Sequence, residues 1–191
     1  KFEFNVVPYL YFYKNDLTQN KNDVYLKIEE KLNYPVIIKP ANLGSSIGIS
    51  IAKTREELEK SIFVALNFDN KILVEKALQD FKEINCAVLG NKNEVIVSSL
   101  EEPISYKDFL TFDEKYILGD KKSVKRIYPA KISNEIKKEI QQTSQEIFEK
   151  FELSGVVRID FMIKDNIVYV NEINTIPGSL AYYLFEKEGL T

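Results

Sequence analysis

The sequence predicts an α+β fold, and three observations carry that prediction. Apolar runs of strand length at 36–39, 71–76, 83–89 and 156–163 are interleaved with segments of helical apolar spacing. Two strand pairs, 83–89 with 94–100 and 156–163 with 167–173, follow one another closely enough to pair antiparallel. The chain has 191 residues, 45% of them apolar and 29% charged, which suffices for one large domain or two small lobes, each with a core of its own.

In chain order, 6–13 is aromatic and β-prone and reads as a strand or extended lead-in, and the polar run 14–22 reads as a loop. Residues 23–32 carry helical spacing, and Pro35 ends that helix. Val36 to Pro40 is nearly continuous in apolar residues, the pattern of a strand buried on both faces. A small-residue loop over 42–48 returns into a strand at 48–52. Thr54-Arg55-Glu56-Glu57 then forms a capping box that opens a helix to about Asn67. Gly90-Asn91-Lys92-Asn93 supplies hairpin-loop residue types between 83–89 and 94–100. Residues 101–126 are long, charged and aperiodic, which marks a lid or an insert. Ser133 caps a helix to about Phe151, with Ile136, Ile140, Ile147, Phe148 and Phe151 on its buried side. Strands at 156–163 and 167–173 follow, Pro177-Gly178 breaks the second, and 180–188 is a last short helix.

Composition removes several functions. Histidine is absent, so no imidazole proton shuttle, His-based triad or His-ligated zinc site can be built from these residues. Cys86 is the single cysteine and lies in an apolar run, where a packing role outweighs a nucleophilic one, and one cysteine forms no internal disulfide, which suits the cytosol. The 26 basic residues are 23 Lys and 3 Arg scattered among carboxylates, so the basic stripe of a nucleic-acid binder is missing. The longest apolar stretch, 6–13, is interrupted by Pro8 and is far short of the roughly 20 residues of a membrane helix. Lys1 has no Met before it, and the chain reads as a piece of something longer.

Three clusters can carry chemistry. Arg158, Asp160, Glu172 and Asn174 sit two apart on two adjacent predicted strands, so each pair shares a face. Their hard oxygens suit Mg²⁺ completed by water and phosphate, and the alternative is a solvated polar face with a surface ion pair. The common face demands an odd connection: a three-residue loop 164–166 pairing Ile163 with Ile167, or an equivalent one-residue bulge. In that three-residue register Arg158 lies opposite Glu172, Asp160 opposite Val170, and Tyr169 goes to the other side with Ile159, Phe161 and Ile163. The second cluster is Lys39 before Asn42-Leu43-Gly44-Ser45-Ser46-Ile47-Gly48, where loop N–H groups can cradle phosphate beside a lysine charge, or form an ordinary Gly-rich turn. It is not a Walker A motif, because the lysine precedes the glycines. The third cluster is Val74-Glu75-Lys76, where strand backbone can pair an adenine edge and the carboxylate a ribose.

Taken together, 34–50, 74–76, 86–91, 114–116, 157–160 and 171–178, with Lys39-Pro-x-x-x-Gly-Ser-Ser-x-Gly and Asn171-Glu-Ile-Asn-Thr-Ile-Pro-Gly178 the most specific, resemble the ATP-grasp part of D-alanine:D-alanine ligases. The resemblance covers 6–190 and implies an ATP-grasp fold, two α+β lobes (1–77 smaller, 78–191 larger and catalytic) with ATP bound between them. It implies that ATP phosphorylates one D-alanine carboxylate and that the amine of a second displaces phosphate, giving a peptidoglycan precursor. Lys39, Ser45, Ser46, Glu75, Lys76, Glu83 and Lys115 would bind ATP. Asp160, Glu172 and Asn174 would carry two Mg²⁺ ions, with Mn²⁺ the alternative, and Arg158, Ser46 and Tyr116 would act in catalysis. Gly178, Ser179 and Leu180 would contact substrate. Where the family places a serine several residues after Pro-Gly, this chain has Ser179 at once and then Leu180-Ala181-Tyr182-Tyr183, which leaves Ser179 or a tyrosine for that place. Lys115 and Tyr116 would belong to a lid over 101–126 that becomes ordered when nucleotide, Mg²⁺ and substrate bind.

The resemblance further implies a cytoplasmic enzyme, a homodimer when full-length, with D-alanine as its small-molecule partner and neither nucleic acid nor membrane. The alternatives are another ATP-grasp carboxylate-amine ligase, a D-alanine:D-lactate ligase, or a nucleotide-binding module without chemistry. The family's N-terminal domain and an upstream ATP-binding lysine lie outside this sequence, so residues 1–191 alone are expected to bind ATP weakly and to be poorly active.

Overall fold

A computed structural model describes residues 4–44, 46–104, 125–186 and 189. Two units can be distinguished, one spanning Val7–Gln79 and the other taking residues 4–6 and the described residues from Asp80 onward. The smaller unit contains β1 (Tyr9–Tyr13), α1 (Lys14–Leu32), β2 (Val36–Pro40), β3 (Ser50–Ala52), α2 (Arg55–Leu66) and β4 (Lys71–Lys76). Its strands form one antiparallel sheet in the order β1-β4-β2-β3. Phe12, Val36, Ile38, Ala52, Ile72 and Val74 point to one face and meet Tyr25, Ile28, Leu32, Leu58, Ile62 and Ala65 of the two helices. Each of the Val, Leu, Ile and Phe side chains among them contributes about 1.5–3 kcal/mol on full burial, which outweighs the modest intrinsic preferences of these segments.

Three sequence expectations change here. The polar run after Tyr13 is helical: α1 starts at Lys14, interrupted only by non-helical dihedrals at Asn20. Asp16 accepts the Tyr13 backbone N–H at 2.7 Å and Leu17 is buried, so a cap and one apolar anchor suffice to start the helix. Strand β2 is not buried on both faces. Val36, Ile38 and Pro40 are buried while Ile37 and Lys39 are partly exposed, because the helices of this unit cover one face only. The box at Thr54 forms with a shift: Thr54 Oγ1 accepts from Glu57 N–H at 3.2 Å, while the Glu57 carboxylate takes the N–H of Lys53 at 2.6 Å.

A tether joins the two helices. Arg55 donates from Nε to Glu29 Oε1 at 2.8 Å and from Nη2 to Oε2, and the Tyr34 hydroxyl donates to Glu29 Oε1 at 2.8 Å. The Arg55 hydrogen bond, with help from Tyr34, holds the Glu29 carboxyl below its ordinary range. Burial and the Glu29 hydrogen bond push the Tyr34 phenol up to about 12. In the loop after β2, Asn42 donates its backbone N–H and its side-chain amide to Asp69 Oδ2, at 2.8 and 2.9 Å. Gly48 follows at φ +71°, where an added Cβ would lie 2.9 Å from Phe68 Cδ2 and Pro40 Cγ.

The larger unit contains β5 (Lys82–Gly90), β6 (Val95–Val97), β7 (Glu102–Ile104), β8 (Lys125–Ile127), α3 (Asn134–Lys150), β9 (Gly155–Lys164), β10 (Ile167–Asn174), a tight turn over Gly178–Ala181 and α4 (Tyr182–Glu186). Its main sheet runs β10-β9-β5-β6, and β7 pairs with β8. Residues 101–126, expected to lack structure, therefore carry strands at both ends; what lies between is outside the described residues. One sheet face, with Ile84, Cys86, Val88, Val157, Ile159, Phe161, Ile163 and Val168, packs on Ile136, Ile140, Ile147 and Phe148 of α3. Phe151, expected on the buried side of that helix, is instead exposed just past its end. On the opposite face Ala87 meets Ala181, Leu184 and Phe185. No described helix is long and apolar enough to cross a membrane.

Gly48→Ala is expected to lower unfolding stability by about 1–3 kcal/mol, from positive φ and the steric contact together, as read by urea denaturation. The Glu29 tether gives an acid-dependent term. A depressed folded-state carboxyl contributes stability that is fully present above its unfolded value of 4.5 and is lost as pH falls through the folded value. Removing the partner in Arg55→Met is therefore expected to flatten the stability loss between neutral pH and pH ~3, measured by thermal unfolding across that range.

Candidate functional site

The hairpin of β9 and β10 decides which side chains can act together. Asp165 and Asn166 close it as a two-residue turn, both at positive φ (52° and 61°), with Lys164 paired to Ile167. The expected three-residue loop is thereby corrected. Asp and Asn tolerate the left-handed region, so the two-residue turn that matches strand twist is accessible to them. The odd residue is taken up by a bulge at Asn171, between Val170 opposite Phe161 and Glu172 opposite Asp160. Asn174 then faces Arg158. The expected pairings of Arg158 with Glu172 and Asp160 with Val170 do not form, yet the four polar residues keep their common face. Tyr169 changes sides: it pairs with Met162, on the face of Asp160, and Val168 enters the core in its place.

On this face Arg158 donates from Nε and Nη2 to the two Asp160 oxygens, at 2.7 and 2.8 Å. Asn174 donates from Nδ2 to Asp160 Oδ2 at 3.0 Å. The Arg158 and Asp160 side chains are only 21% and 17% exposed, so the pair is shielded enough to be worth more than a surface bridge. Burial opposes the charge on Arg158, but the Asp160 hydrogen bonds and charge more than offset it and hold the guanidinium protonated above its ordinary range. Glu172 is exposed beside them. Glu83, also exposed, is the second residue of β5 and lies opposite Met162, on the same face.

In the smaller unit Lys39 and Glu75 meet. Their strands place Lys39 opposite Leu73 and Glu75 opposite Ile37 on the face that α1 and α2 leave bare, and Lys39 Nζ lies 2.8 Å from Glu75 Oε2. Lys76, the next residue along, points to the other face, where its amine donates to the carbonyls of Tyr34 and Asn33 at 2.9 and 3.3 Å. Ser46 sits partly buried at φ +60° in the Gly-rich turn. Gly178, Ser179 and Leu180 are exposed at the turn after β10, and Ser179, Leu180 and Ala181 run at positive φ (52°, 48° and 49°). Three such residues in succession cost of order 1 kcal/mol each, strain that clusters at functional segments. Ser45, Lys115 and Tyr116 lie outside the described residues.

The sequence reading passed over Asn85, Glu101 and Arg126. Glu172, Asp160, Asn85 and Glu101 form a single row across β10, β9, β5 and the bridge beyond it. Glu101 is 1% exposed and accepts from Asn85 Nδ2 at 3.0 Å and from the Tyr183 hydroxyl at 3.1 Å. The Arg126 guanidinium stacks 4.0 Å from the Tyr183 ring centre, with its Nε 3.6 Å from Glu101 Oε2. The available signal was the rarity of arginine and the tyrosines that follow Pro-Gly.

Two α+β units of this topology, one bearing a Lys–Glu pair beside a Gly-rich turn and the other a polar Arg/Asp/Asn/Glu sheet face, define an ATP-grasp protein. The D-ala D-ala ligase C-terminus family model matches residues 1–189, and the chain belongs to that family. It is 45% identical over 187 residues to a D-alanine--D-alanine ligase of Thermosipho africanus, covering 97% of this chain and 50% of that one. A second D-alanine--D-alanine ligase, of Caldicellulosiruptor bescii, is 43% identical over 181 residues, with 94% and 48% covered. Among solved structures, the VanG D-Ala:D-Ser ligase of Enterococcus faecalis superposes with a TM-score of 0.82 at 32% identity, over 98% of this chain and 54% of that one. The chain spans about half the length of the curated relatives it matches.

Cys86 is wholly buried in the core, and burial pushes its thiol up to about 12. It is expected to resist iodoacetamide at neutral pH in the folded chain and to react once urea unfolds it, as mass spectrometry would read. Asp160→Ala, which leaves the Arg158 charge shielded and unpaired, is expected to cost about 1–3 kcal/mol in urea denaturation, less than a fully buried pair because both side chains keep some solvent.

Proposed function

We propose that the chain is the ATP-using, catalytic part of a D-alanine--D-alanine ligase, joining two D-alanine molecules through an acyl phosphate for peptidoglycan synthesis. The observation that carries this reading is the Arg158–Asp160–Asn174 network with Glu172 opposite, on a sheet face that α3 leaves open. The likeness to the Thermosipho and Caldicellulosiruptor ligases supports it. Its division into a smaller lobe over 1–77 and a larger one over 78–191, its cytoplasmic location and a homodimer of the intact protein belong to the same proposal.

The residues fit a hard divalent ion. Asp160, Glu172 and Asn174 offer two carboxylates and a carboxamide at neighbouring positions. No group of three Asp, Glu, Cys or His side chains among the described residues could hold a metal alone. So sparse a donor set suits Mg²⁺, which keeps waters and phosphate oxygens, better than an ion needing a protein cage. Mg²⁺ bound there would neutralise phosphate charge. Arg158 would face the charge that develops on the acyl phosphate and on the tetrahedral carbon, held in orientation by its two bonds to Asp160. Lys39 would hold phosphate oxygens, with Glu75 setting the direction of its amine until nucleotide competes for it, and Glu83 would take a ribose hydroxyl. None of these roles needs a protein nucleophile, because phosphoryl transfer asks for positioning and charge neutralisation.

Phosphate release by the intact protein that carries this chain, measured with ATP and D-alanine, D-serine, D-lactate, L-alanine or no acceptor, tests the reading. Release dependent on D-alanine with dipeptide product is expected, whereas a preference for D-serine or D-lactate would move the assignment to a different acceptor. Release that ignores every acceptor would refute it. Arg158→Ala is expected to lower kcat by about 10²–10³, and Lys39→Met to act mainly on the KM for ATP.

A further inference from the structure

Arg126 differs from the other two arginines in what it leaves unbonded. Arg55 and Arg158 each donate from Nε and Nη2 to the two oxygens of one carboxylate. Arg126 makes no such hydrogen bond among the described residues: Glu101 Oε2 lies 3.6 Å from its Nε, near enough to attract the charge but beyond hydrogen-bond distance. The guanidinium is nonetheless held. It rests 4.0 Å from the centre of the Tyr183 ring, and the Tyr183 hydroxyl donates to Glu101 Oε1 at 3.1 Å. Glu101 is itself immobilised. It is 1% exposed, exchanges backbone hydrogen bonds with Asn85 in both directions at 2.9 and 3.1 Å, and accepts the Asn85 side-chain amide at 3.0 Å. The Arg126 fork is thus fixed by a ring beneath it and a carboxylate beside it, while 40% of its side chain stays open to solvent. A stacked guanidinium with unspent N–H donors is a docking group for a planar anion, because the fork is already oriented when a carboxylate accepts two parallel bonds from it.

The position of the stack on the sheet selects the anion. Asn85 lies directly opposite Asp160, and cross-strand neighbours of this kind share a face with Cβ atoms about 4.5–5.5 Å apart. Tyr183 packs with the cluster around Ala87, and Ala87 is the register partner of Arg158. The stack therefore stands on the polar face, across Asn85 from Asp160. In the proposed reaction the donor carboxylate becomes the acyl phosphate, which Arg158 and Mg²⁺ would meet, and Lys39 takes nucleotide phosphate. The acceptor carries its own carboxylate unchanged into the product, and none of those groups compensates that charge. We infer that Arg126 is a further substrate-binding residue: its stacked guanidinium docks the α-carboxylate of the acceptor amino acid and so aims the acceptor amine at the acyl carbon. Glu101 and Tyr183 set the direction of the fork. The ligase reading supplies the identity of the anion, and the geometry supplies the docking group.

Internal competition tests this in the intact protein. With ATP and equal amounts of D-alanine and D-alaninamide, the amide can serve as acceptor but lacks the carboxylate, and mass spectrometry reads the ratio of free dipeptide to dipeptide amide. The unmodified protein is expected to favour the free dipeptide. Arg126→Gln is expected to lower that ratio by at least ~10-fold, with the KM for ATP within about twofold and little change in thermal midpoint. Arg126→Lys, which keeps the charge but not the stacked fork, is expected to restore the ratio only in part. A merely structural role would lower the midpoint and the yield of both products together, leaving their ratio as it was. An unchanged ratio in Arg126→Gln would overturn the inference. If the intact protein makes neither product, the ligase reading fails, and a chemical probe still decides the docking role. Phenylglyoxal modification of Arg126, mapped by mass spectrometry, is expected to slow several-fold with D-alanine or D-lactate present and not with D-alaninamide. Modification that neither carboxylate slows would overturn the inference on its own.

Discussion

A β-strand offers its side chains to alternate faces, so carrying the turn's register through the β9–β10 pair without a shift would send Glu172 and Asn174 into the core and bring Asn171 out opposite Asp160 and Ile173 opposite Arg158. The bulge at Asn171 is what prevents this. A distant segment accompanies it: the Val170 N–H is taken by the carbonyl of Asn5, and Val6 bridges Val170 in parallel, so a short segment from the chain's beginning lies along the edge of β10 at the bulge. With that register in place the row Glu172, Asp160, Asn85, Glu101 exists, and Arg158 has both a carboxylate and a carboxamide within reach of its own row.

The use of arginine follows the same economy. The chain has 23 lysines and three arginines, and each arginine is placed against a carboxylate: Arg55 on Glu29, Arg126 on Glu101 and Arg158 on Asp160. Arginine presents a planar fork whose geometry is fixed, whereas a lysine is a flexible point charge. Where two helices must be tied, or a guanidinium aimed along a strand, the fork is needed. Where charge alone suffices, as for Lys39 against Glu75 or the exposed pair Lys60–Glu56, lysine serves.

Strand alternation also separates neighbours in the smaller unit. Glu75 faces the same side as Lys39, and Lys76, one residue on, is turned to the carbonyls that close α1. Adjacent residues in a motif therefore do different work, one toward a ligand face and one in securing the helix end, and reading Val74-Glu75-Lys76 as a block conceals that division.

Local chemistry made much of this legible in the sequence. Apolar periodicity located β4, β9, β10, α2 and α3 to within a residue or two, Ser133 and Thr54 announced helix starts, and the absence of histidine directed attention to carboxylates and arginine. The paired spacings of Arg158 with Asp160 and Glu172 with Asn174 required one odd step in the hairpin. Which form that step takes was not decidable from the hairpin's own residues, because Asp165-Asn166 is an acceptable two-residue turn and the compensating bulge lies where β10 meets a segment more than 150 positions away in the chain. The same reason hid Glu101. In the sequence it opens an aperiodic charged stretch, and only its pairing with Asn85 and the packing of Tyr183 over Ala87 make it a buried anchor. Residue type and spacing determined which groups this protein could use; hydrogen bonds between segments far apart in the chain decided which of them share a face.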